Sequence, residues 1–161
     1  MQQRLDFTKV SPAALKTMQD IEVYLAKCGL EPALINLVKM RASQINGCAY
    51  CLDMHSKAAR AAGETEQRLY LLDAWRESPF YSARERAALA WTEAVTLVAD
   101  GHVPDEVYAQ ARESFDETEI VKLTLAIVVI NGWNRLSISF RAVPGEYTPP
   151  ARSATATRAG T

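Results

Sequence analysis

Signals for the start and end of helices recur along the chain and constrain its fold more than any other feature. Proline fits the first turn of a helix, where its missing N–H would be unpaired, and glycine just past the end allows a left-handed stop. Ser11-Pro12 and Pro32 are starts of this kind, and Gly29 and Gly63 are stops. No long segment alternates apolar and polar residues with a period of two, as a half-buried strand would. The sequence therefore predicts an all-α fold.

The same signals divide the chain into about seven helices, which we expect to form a compact bundle. A capping box pairs an N-cap side chain with a Glu three residues later, so that each satisfies a free backbone N–H. Ser82 with Glu85 and Asp116 with Glu119 have this spacing. Apolar residues within the segments recur at intervals of three and four, which is typical of helices with one buried face. The predicted helices span residues 12–28, 32–46, 48–62, 65–75, 83–99, 104–114 and 116–140.

Residues 1–142 have the length and apolar content of one domain with a sizeable core. After this point the composition changes, because four Pro and Gly residues precede a run of Ser, Ala and Thr that has little to bury. We therefore expect residues 143–161 to form a flexible C-terminal tail, or else an arm on a neighbouring subunit.

Charge and hydropathy exclude several classes of partner. Eighteen basic and nineteen acidic residues give a formal charge of −1, with no basic run of the kind that binds nucleic acid. The N-terminus lacks the apolar core of a signal peptide, and the uncharged apolar run 123–134 is too short to span a bilayer. Three cysteines, an odd number, suit a reducing compartment. We expect a cytoplasmic protein that binds neither nucleic acid nor membrane, with Cys28 as a small core residue.

A weak internal repeat indicates two related helical halves. The tripeptides Glu-Val-Tyr at 22–24 and Ile-Asn-Gly at 45–47 recur at 106–108 and 130–132 with nearly the same separation. In the second copy Trp133 would take the place of the first cysteine of the motif described next, and that half would contribute packing only. A chance match of two tripeptides is the alternative.

Cys48, Cys51 and His55 form the motif with the clearest chemistry. Asn46-Gly47 breaks the chain just before Cys48, which therefore lies in or next to the first turn of a new helix. Spacings of three and four residues place the two thiols and the imidazole on one helical face. A free thiol ionises near pH ~8.5, and both a helix N-terminus and a nearby histidine favour the thiolate. Two thiols at this spacing also form a disulfide, so the motif predicts a redox-active dithiol with its own base.

Two other interpretations fit the same spacing. C-x2-C is also half of a zinc site, which would need Cys28, His102 or carboxylates as further ligands because a second such pair is absent. Alternatively, the cysteines are structural core residues and His55 is an ordinary surface histidine.

The stretch Ser-Gln-Ile-Asn-Gly-Cys-Ala-Tyr-Cys-Leu-Asp-Met-His at 43–55 resembles the alkylhydroperoxidase D-like branch of the carboxymuconolactone decarboxylase family. The likeness continues through Ala-Leu-Ala-Trp-Thr-Glu-Ala-Val at 88–95 and Ile-Asn-Gly-Trp-Asn-Arg-Leu at 130–136, and covers residues 5–142. It implies an all-helical fold, homotrimers or homohexamers, and peroxide reduction through the dithiol. In the family the second cysteine attacks the peroxide, the first resolves it and the histidine assists; these roles fall on Cys51, Cys48 and His55. The resemblance also implies a dihydrolipoyl reductant.

The chain departs from the family pattern at two positions of the proton relay. Well-studied members have a glutamate twelve residues before the first cysteine and a histidine just before the second; here these are Asn36 and Tyr50. Asparagine forms hydrogen bonds but does not accept a proton, so the relay does not operate unchanged. Glu93, or another carboxylate of the second half, is a candidate replacement, although an exposed helix position is the simpler interpretation of Glu93.

The sequence thus predicts a thiol peroxidase that reduces a hydroperoxide with Cys51, Cys48 and His55 and needs no metal, haem or other cofactor. A dihydrolipoyl or thioredoxin-like dithiol would restore the thiols. The rival functions are a decarboxylase like those of sister proteins, a non-catalytic redox sensor and a zinc-binding interaction module.

Overall fold

The computed structural model describes residues 2–149, and within this range it contains helices and no strand. The elements are α1 (Phe7–Val10), α2 (Pro12–Leu25), α3 (Pro32–Asn46), α4 (Ala49–Ala61), α5 (Glu66–Tyr70), a 3₁₀-helix (Leu72–Ala74), α6 (Ala83–Thr96), α7 (Asp105–Ser114) and α8 (Glu117–Phe140). The all-α prediction is confirmed.

The predicted helices occur with small changes at their ends and two changes in number. Both predicted capping boxes are present, at Ser82 and at Asp116. The predicted helix over 65–75 is divided into α5 and the 3₁₀-helix. Helix α1 is absent from the predicted helices, because its four residues are too short for a periodic pattern and the N-cap Asp6 is its one local signal. The described residues therefore form eight α-helices where about seven were expected.

The break between α3 and α4 places the cysteine motif at a helix start. Gly47 has φ 66° and ψ 34°, the left-handed conformation that glycine adopts without steric cost. Its N–H bonds to the carbonyl of Gln44, and the next N–H, of Cys48, bonds to that of Ser43, both within 3.1 Å. This glycine stop closes α3 and makes Cys48 the N-cap of α4.

Helices α3 and α8 form the centre of the bundle. α3 packs against α4, α6 and α8, and α8 also contacts α2, α6 and α7. Each of the two central helices buries eight residues. Cys28, just after α2, is a free, buried thiol at the edge of this core, as the sequence predicts. The core is thus built by the two helices that flank the cysteine motif.

Helix α8 is longer than the apolar run that the sequence analysis considered. The helix has 24 residues, and an 18-residue window within it has a mean hydropathy of 1.3, so by length and composition it could cross a membrane. The expectation drawn from the shorter run 123–134 therefore does not apply to the whole helix. In the structure, α8 packs against other helices of the bundle. α8 is therefore a central helix of the bundle.

The segment after α8 lies against α4 where the structure describes it. The N–H of Gly145 donates to Asp53 Oδ2 at 2.9 Å, and Lys57 Nζ donates to the Gly145 carbonyl at 3.0 Å. Residues 150–161, the larger part of the predicted tail, lie outside the described residues. The domain boundary at residue 142 and the flexibility of the tail stay predictions.

The residues matched by the internal repeat contact each other. Asn46 Nδ2 donates to Asn131 Oδ1 at 2.9 Å, and these are the two asparagines of the repeated Ile-Asn-Gly. The glycines differ, because Gly47 ends α3 whereas Gly132 lies inside α8, where a Cβ would meet Met18 Cε at 2.8 Å. The origin of the fold from two related halves stays a prediction.

Candidate active site

Cys48 and Cys51 form a disulfide at the start of α4, with their Cα atoms 5.4 Å apart. Cys48 precedes the first turn, and its Sγ accepts the backbone N–H of Cys51 at 3.3 Å. Each cysteine is 1% exposed, and both pack with Ala42 and Ile130. The predicted dithiol is therefore present in its oxidised form, at a helix N-terminus and sheltered from bulk solvent.

A cleft of about 390 Å³ reaches the disulfide. Cys51 is part of its wall and Cys48 is not. The other walls come from five helices, with Phe7 of α1 and Trp133 of α8 as the large aromatic surfaces. A small molecule in this cleft would therefore meet the sulfur of Cys51 first.

His55 lies in the same wall, one helical turn beyond Cys51, and is only 7% exposed. Burial, and secondarily the positive charge of Lys39, lowers the pKa of His55 to about 3. Both effects disfavour the imidazolium, so the ring is neutral near pH 7 and can accept a proton. The structure thus brings Cys48, Cys51 and His55 together at the start of α4, where the helical spacing predicted them to share one face.

A buried ion pair forms the remaining polar part of the cleft. Lys39 Nζ donates to Glu22 Oε2, and the indole Nε1 of Trp133 donates to Glu22 Oε1 at 3.2 Å. Lys39 is 8% exposed although it is a lysine. The cleft therefore contains a carboxylate and an ammonium, both near the cysteine and the histidine.

Sequence reasoning missed Glu22 and Lys39 as site residues, although each left a signal. Glu22 is a partly buried charged residue within the helix α2. Lys39 lies in the run Leu-Val-Lys-Met, whose apolar members are all buried. A charge at an inward helical position indicates a buried partner, but the pattern does not identify that partner.

Of the three predicted relay neighbours, only Tyr50 lines the cleft. Asn36 lines a separate cleft of about 280 Å³ between α3, α4 and α5. The expectation that Glu93 is an exposed helix residue is wrong. Its side chain is only 14% exposed and contacts Arg41, Arg76 and the indole of Trp75. The roles of Asn36 and Glu93 in a relay stay predictions, but neither residue is part of the wall near Cys51.

Trp133 has a different place from the one that the repeat suggested. The repeat predicts a packing role for Trp133, whereas in the structure its ring lies in the cleft wall and its N–H donates to Glu22. It also packs against the cluster around the disulfide.

Helix α1 covers one side of the cleft. Phe7 and Thr8 belong to the wall, and the ring of Phe7 lies 5.8 Å from that of Phe140. The backbone N–H of Arg4 bonds to the Phe140 carbonyl at 3.0 Å. The segment before α2 is thus fixed to the end of α8 and narrows the route to Cys51.

In residues 2–149, no group of three or more His, Cys, Asp and Glu side chains lies close enough together to hold a metal ion. The zinc interpretation of the C-x2-C pair therefore gains no further ligand from the described part of the chain.

Comparison with known proteins gives a consistent family and fold. The sequence model of the carboxymuconolactone decarboxylase family matches residues 11–94. The uncharacterized protein YdfG of Bacillus subtilis is 47% identical over 139 residues, which are 86% of this chain and 95% of YdfG. A protein of unknown function from Agrobacterium tumefaciens, provisionally assigned to antioxidant defence as AhpD, has a crystal structure with a TM-score of 0.87. It is 44% identical, and the match covers 91% of this chain and all of that one.

A more distant solved structure shares the fold alone. The debrominase Bmp8 is 19% identical with a TM-score of 0.76, and the match covers 84% of this chain and 73% of Bmp8. The helical bundle is therefore shared with a debrominase, and this likeness carries no conclusion about the reaction of this chain.

Proposed function

Because the chain belongs to the carboxymuconolactone decarboxylase family and has an AhpD-like fold, we propose that it is a thiol-dependent peroxidase that reduces hydroperoxides with Cys51 and Cys48. One observation supports this above the others: Cys51 forms a disulfide with Cys48 and opens, beside a neutral His55, into a cleft large enough for a small organic molecule. The provisional assignment of the Agrobacterium relative to antioxidant defence agrees with it.

The first half of the proposed reaction oxidises Cys51. Neutral His55 takes the thiol proton, and the thiolate sulfur attacks the terminal oxygen of the hydroperoxide. The S–O bond forms as the O–O bond breaks, so that Cys51 becomes a sulfenic acid. The leaving alkoxide takes the proton from His55 and departs as the alcohol. Sulfur loses two electrons and the peroxide gains them.

The second half restores the thiols. The Cys48 thiol attacks the sulfenic sulfur of Cys51, water leaves, and the disulfide seen in the structure forms. An external dithiol, dihydrolipoyl or thioredoxin-like, then reduces it and becomes a disulfide itself. Because both sulfurs are 1% exposed, the reductant has to enter the cleft and approach Cys51. We place this cycle in the cytoplasm and in a homo-oligomer, trimeric or hexameric, as the family resemblance implies.

The test is a peroxidase assay with tert-butyl hydroperoxide, comparing dihydrolipoamide with thioredoxin as the donor. We expect continuous turnover with at least one donor and none in Cys51→Ser. Cys48→Ser should consume about one equivalent of hydroperoxide and stop, because its sulfenic acid has no resolving thiol.

Other results would select the rival functions. Loss of two thiols on hydroperoxide treatment without turnover would indicate a redox sensor. A protein whose thiols do not react with hydroperoxide at all would contradict the proposal, and decarboxylation of a muconolactone by Cys51→Ser would replace it.

A further inference from the structure

The charges in the cleft change when the disulfide is reduced. The titratable side chains among the described residues of the wall are Glu22 from α2, Lys39 from α3, and Tyr50, Cys51 and His55 from α4. In the oxidised form the sulfur has no charge, so the Lys39 ammonium and the Glu22 carboxylate balance each other. Reduction followed by ionisation of Cys51 adds a second anion to a cleft that contains one ammonium.

An ionised sulfur at this depth needs a positive partner. An unpaired charge in a buried site is unfavourable, and the imidazolium that His55 forms when it takes the thiol proton is itself disfavoured by burial. A lysine ammonium has three N–H donors, and Glu22 is the one side chain that the structure shows accepting from Lys39. Lys39 therefore has donors left for a second anion in the cleft.

The ion pair is held in place from two sides. Lys39 is itself buried within α3, whereas Glu22 is fixed from α8 by the indole N–H of Trp133. The field of Lys39 also extends to His55, since its charge contributes to the neutral state of that ring. The pair is thus an ordered source of charge beside the reacting atoms.

We propose that Lys39 is a positioning residue that stabilises the Cys51 thiolate electrostatically, and that Glu22 attenuates its charge. The effect of Lys39 on catalysis rests on the proposed peroxidase function. In that cycle Lys39 keeps its proton throughout. It favours the thiolate before attack, and by disfavouring the imidazolium it promotes transfer of the proton from His55 to the leaving alkoxide.

The two members of the pair are expected to act in opposite directions. Removing Lys39 takes away the attraction for the thiolate, so Cys51 should ionise at a higher pH. Removing the charge of Glu22 leaves the attraction of Lys39 unopposed, so Cys51 should ionise at a lower pH. A purely structural ion pair has no reason to give opposite shifts, because either change would break the same contact.

The experiment measures the rate of alkylation by iodoacetamide against pH in a Cys28→Ala, Cys48→Ser background, where Cys51 is the sole thiol. Lys39→Met should raise the pH midpoint of thiolate formation by about one unit, the size expected for one nearby opposite charge. Glu22→Gln should lower it, and Lys39→Arg should keep it close to the parent value. Lys57→Met is the matched control, since it removes a lysine of α4 whose partners, Asp53 and Gly145, lie outside the cleft.

Shifts of the same sign in Lys39→Met and Glu22→Gln, or shifts no larger than that of Lys57→Met, would overturn the proposal. If Lys39→Met does not fold, Glu22→Gln decides alone, because an unchanged or raised midpoint contradicts the attenuating role. Alkylation needs no hydroperoxide, so this result is separate from that of the peroxidase assay.

Discussion

Two carboxylates of this protein have closely similar partners and very different surroundings. Glu22 accepts hydrogen bonds from Lys39 of α3 and from the indole of Trp133. Glu93 accepts them from Arg41, also of α3, from the indole of Trp75 and from Arg76. Glu22 and its partners line the cleft at Cys51. Glu93 and its partners join α3, α6 and the segment around the 3₁₀-helix.

The two carboxylates differ in the number of side chains that donate hydrogen bonds to them, which is three for Glu93 and two for Glu22. Burial opposes the ionisation of Glu93, but hydrogen bonds from Trp75, Arg76 and Arg41 outweigh it and lower its pKa. Two guanidinium groups and an indole donate to this carboxylate, and it lies outside the wall of the cleft. Glu22 has one cation, and its cluster lies beside a sulfur and an open cleft. The same local chemistry therefore fixes helices in one region and tunes a reactive group in the other.

The largest expected effect concerns acid stability in the cleft region. In the folded, oxidised protein the pKa of His55 is lowered from 6.5 to about 3, so the unfolded chain binds more protons between these pH values. Stability is then full above pH 6.5 and is lost as the pH falls. Between pH 7.5 and 4.5, we expect the wild type to lose about 3 kcal/mol that His55→Gln does not lose.

Urea denaturation of the oxidised protein at several pH values measures this difference. His102→Gln is the control, because it removes the other histidine, an exposed residue in the turn after α6. The pH window also separates the two regions, since the contribution of Glu93 is lost only below pH 4.5. Parallel stability curves for wild type and His55→Gln would show that His55 is not held neutral.

A smaller effect is expected at Glu93, and it tests the structural side of the comparison. Glu93→Gln should lower the free energy of unfolding at pH 7 by about 2 kcal/mol, because it removes charge-assisted hydrogen bonds in a half-buried cluster. The folded pKa is depressed, so this contribution is present above pH 4.5 and is lost as the pH falls below that value. The difference from wild type should therefore shrink in acid.

The same variant should leave the cleft unchanged. We expect its peroxide turnover per folded molecule and its thiolate midpoint to equal those of the wild type. A shifted midpoint, with stability intact, would return Glu93 to the proton relay that the sequence suggested.

The smallest expected effects come from the two indoles. Trp133→Phe and Trp75→Phe should each cost about 1 kcal/mol for the lost hydrogen bond to a glutamate. Only Trp133 packs against the cluster of Cys48 and Cys51, and disulfides quench nearby indoles. The change in fluorescence on reduction with dithiothreitol should therefore disappear in Trp133→Phe and persist in Trp75→Phe. The reverse pattern would contradict the assignment of Trp133 to the cleft.

Local signals account for the parts of the fold that the sequence predicted. Pro12, Pro32 and the two capping boxes begin helices, and Gly47 ends one, because these residues act on backbone groups within a few positions. The place of Cys48 and Cys51 at the start of α4 follows from the same rules. Helix α1 has one local signal, the N-cap Asp6, but it is too short for a periodic pattern and is fixed by contacts of Phe7 and Arg4 with the far end of α8.

The sequence alone determined the helices and the order of two sulfurs and an imidazole along one of them, because those features depend on spacings of three to seven residues. Only the tertiary structure determined which carboxylate lies in the cleft with Cys51, namely that of Glu22. Glu22 meets a lysine 17 residues away and an indole 111 residues away. Such contacts depend on how five helices bury their apolar faces together, and no local pattern records that arrangement.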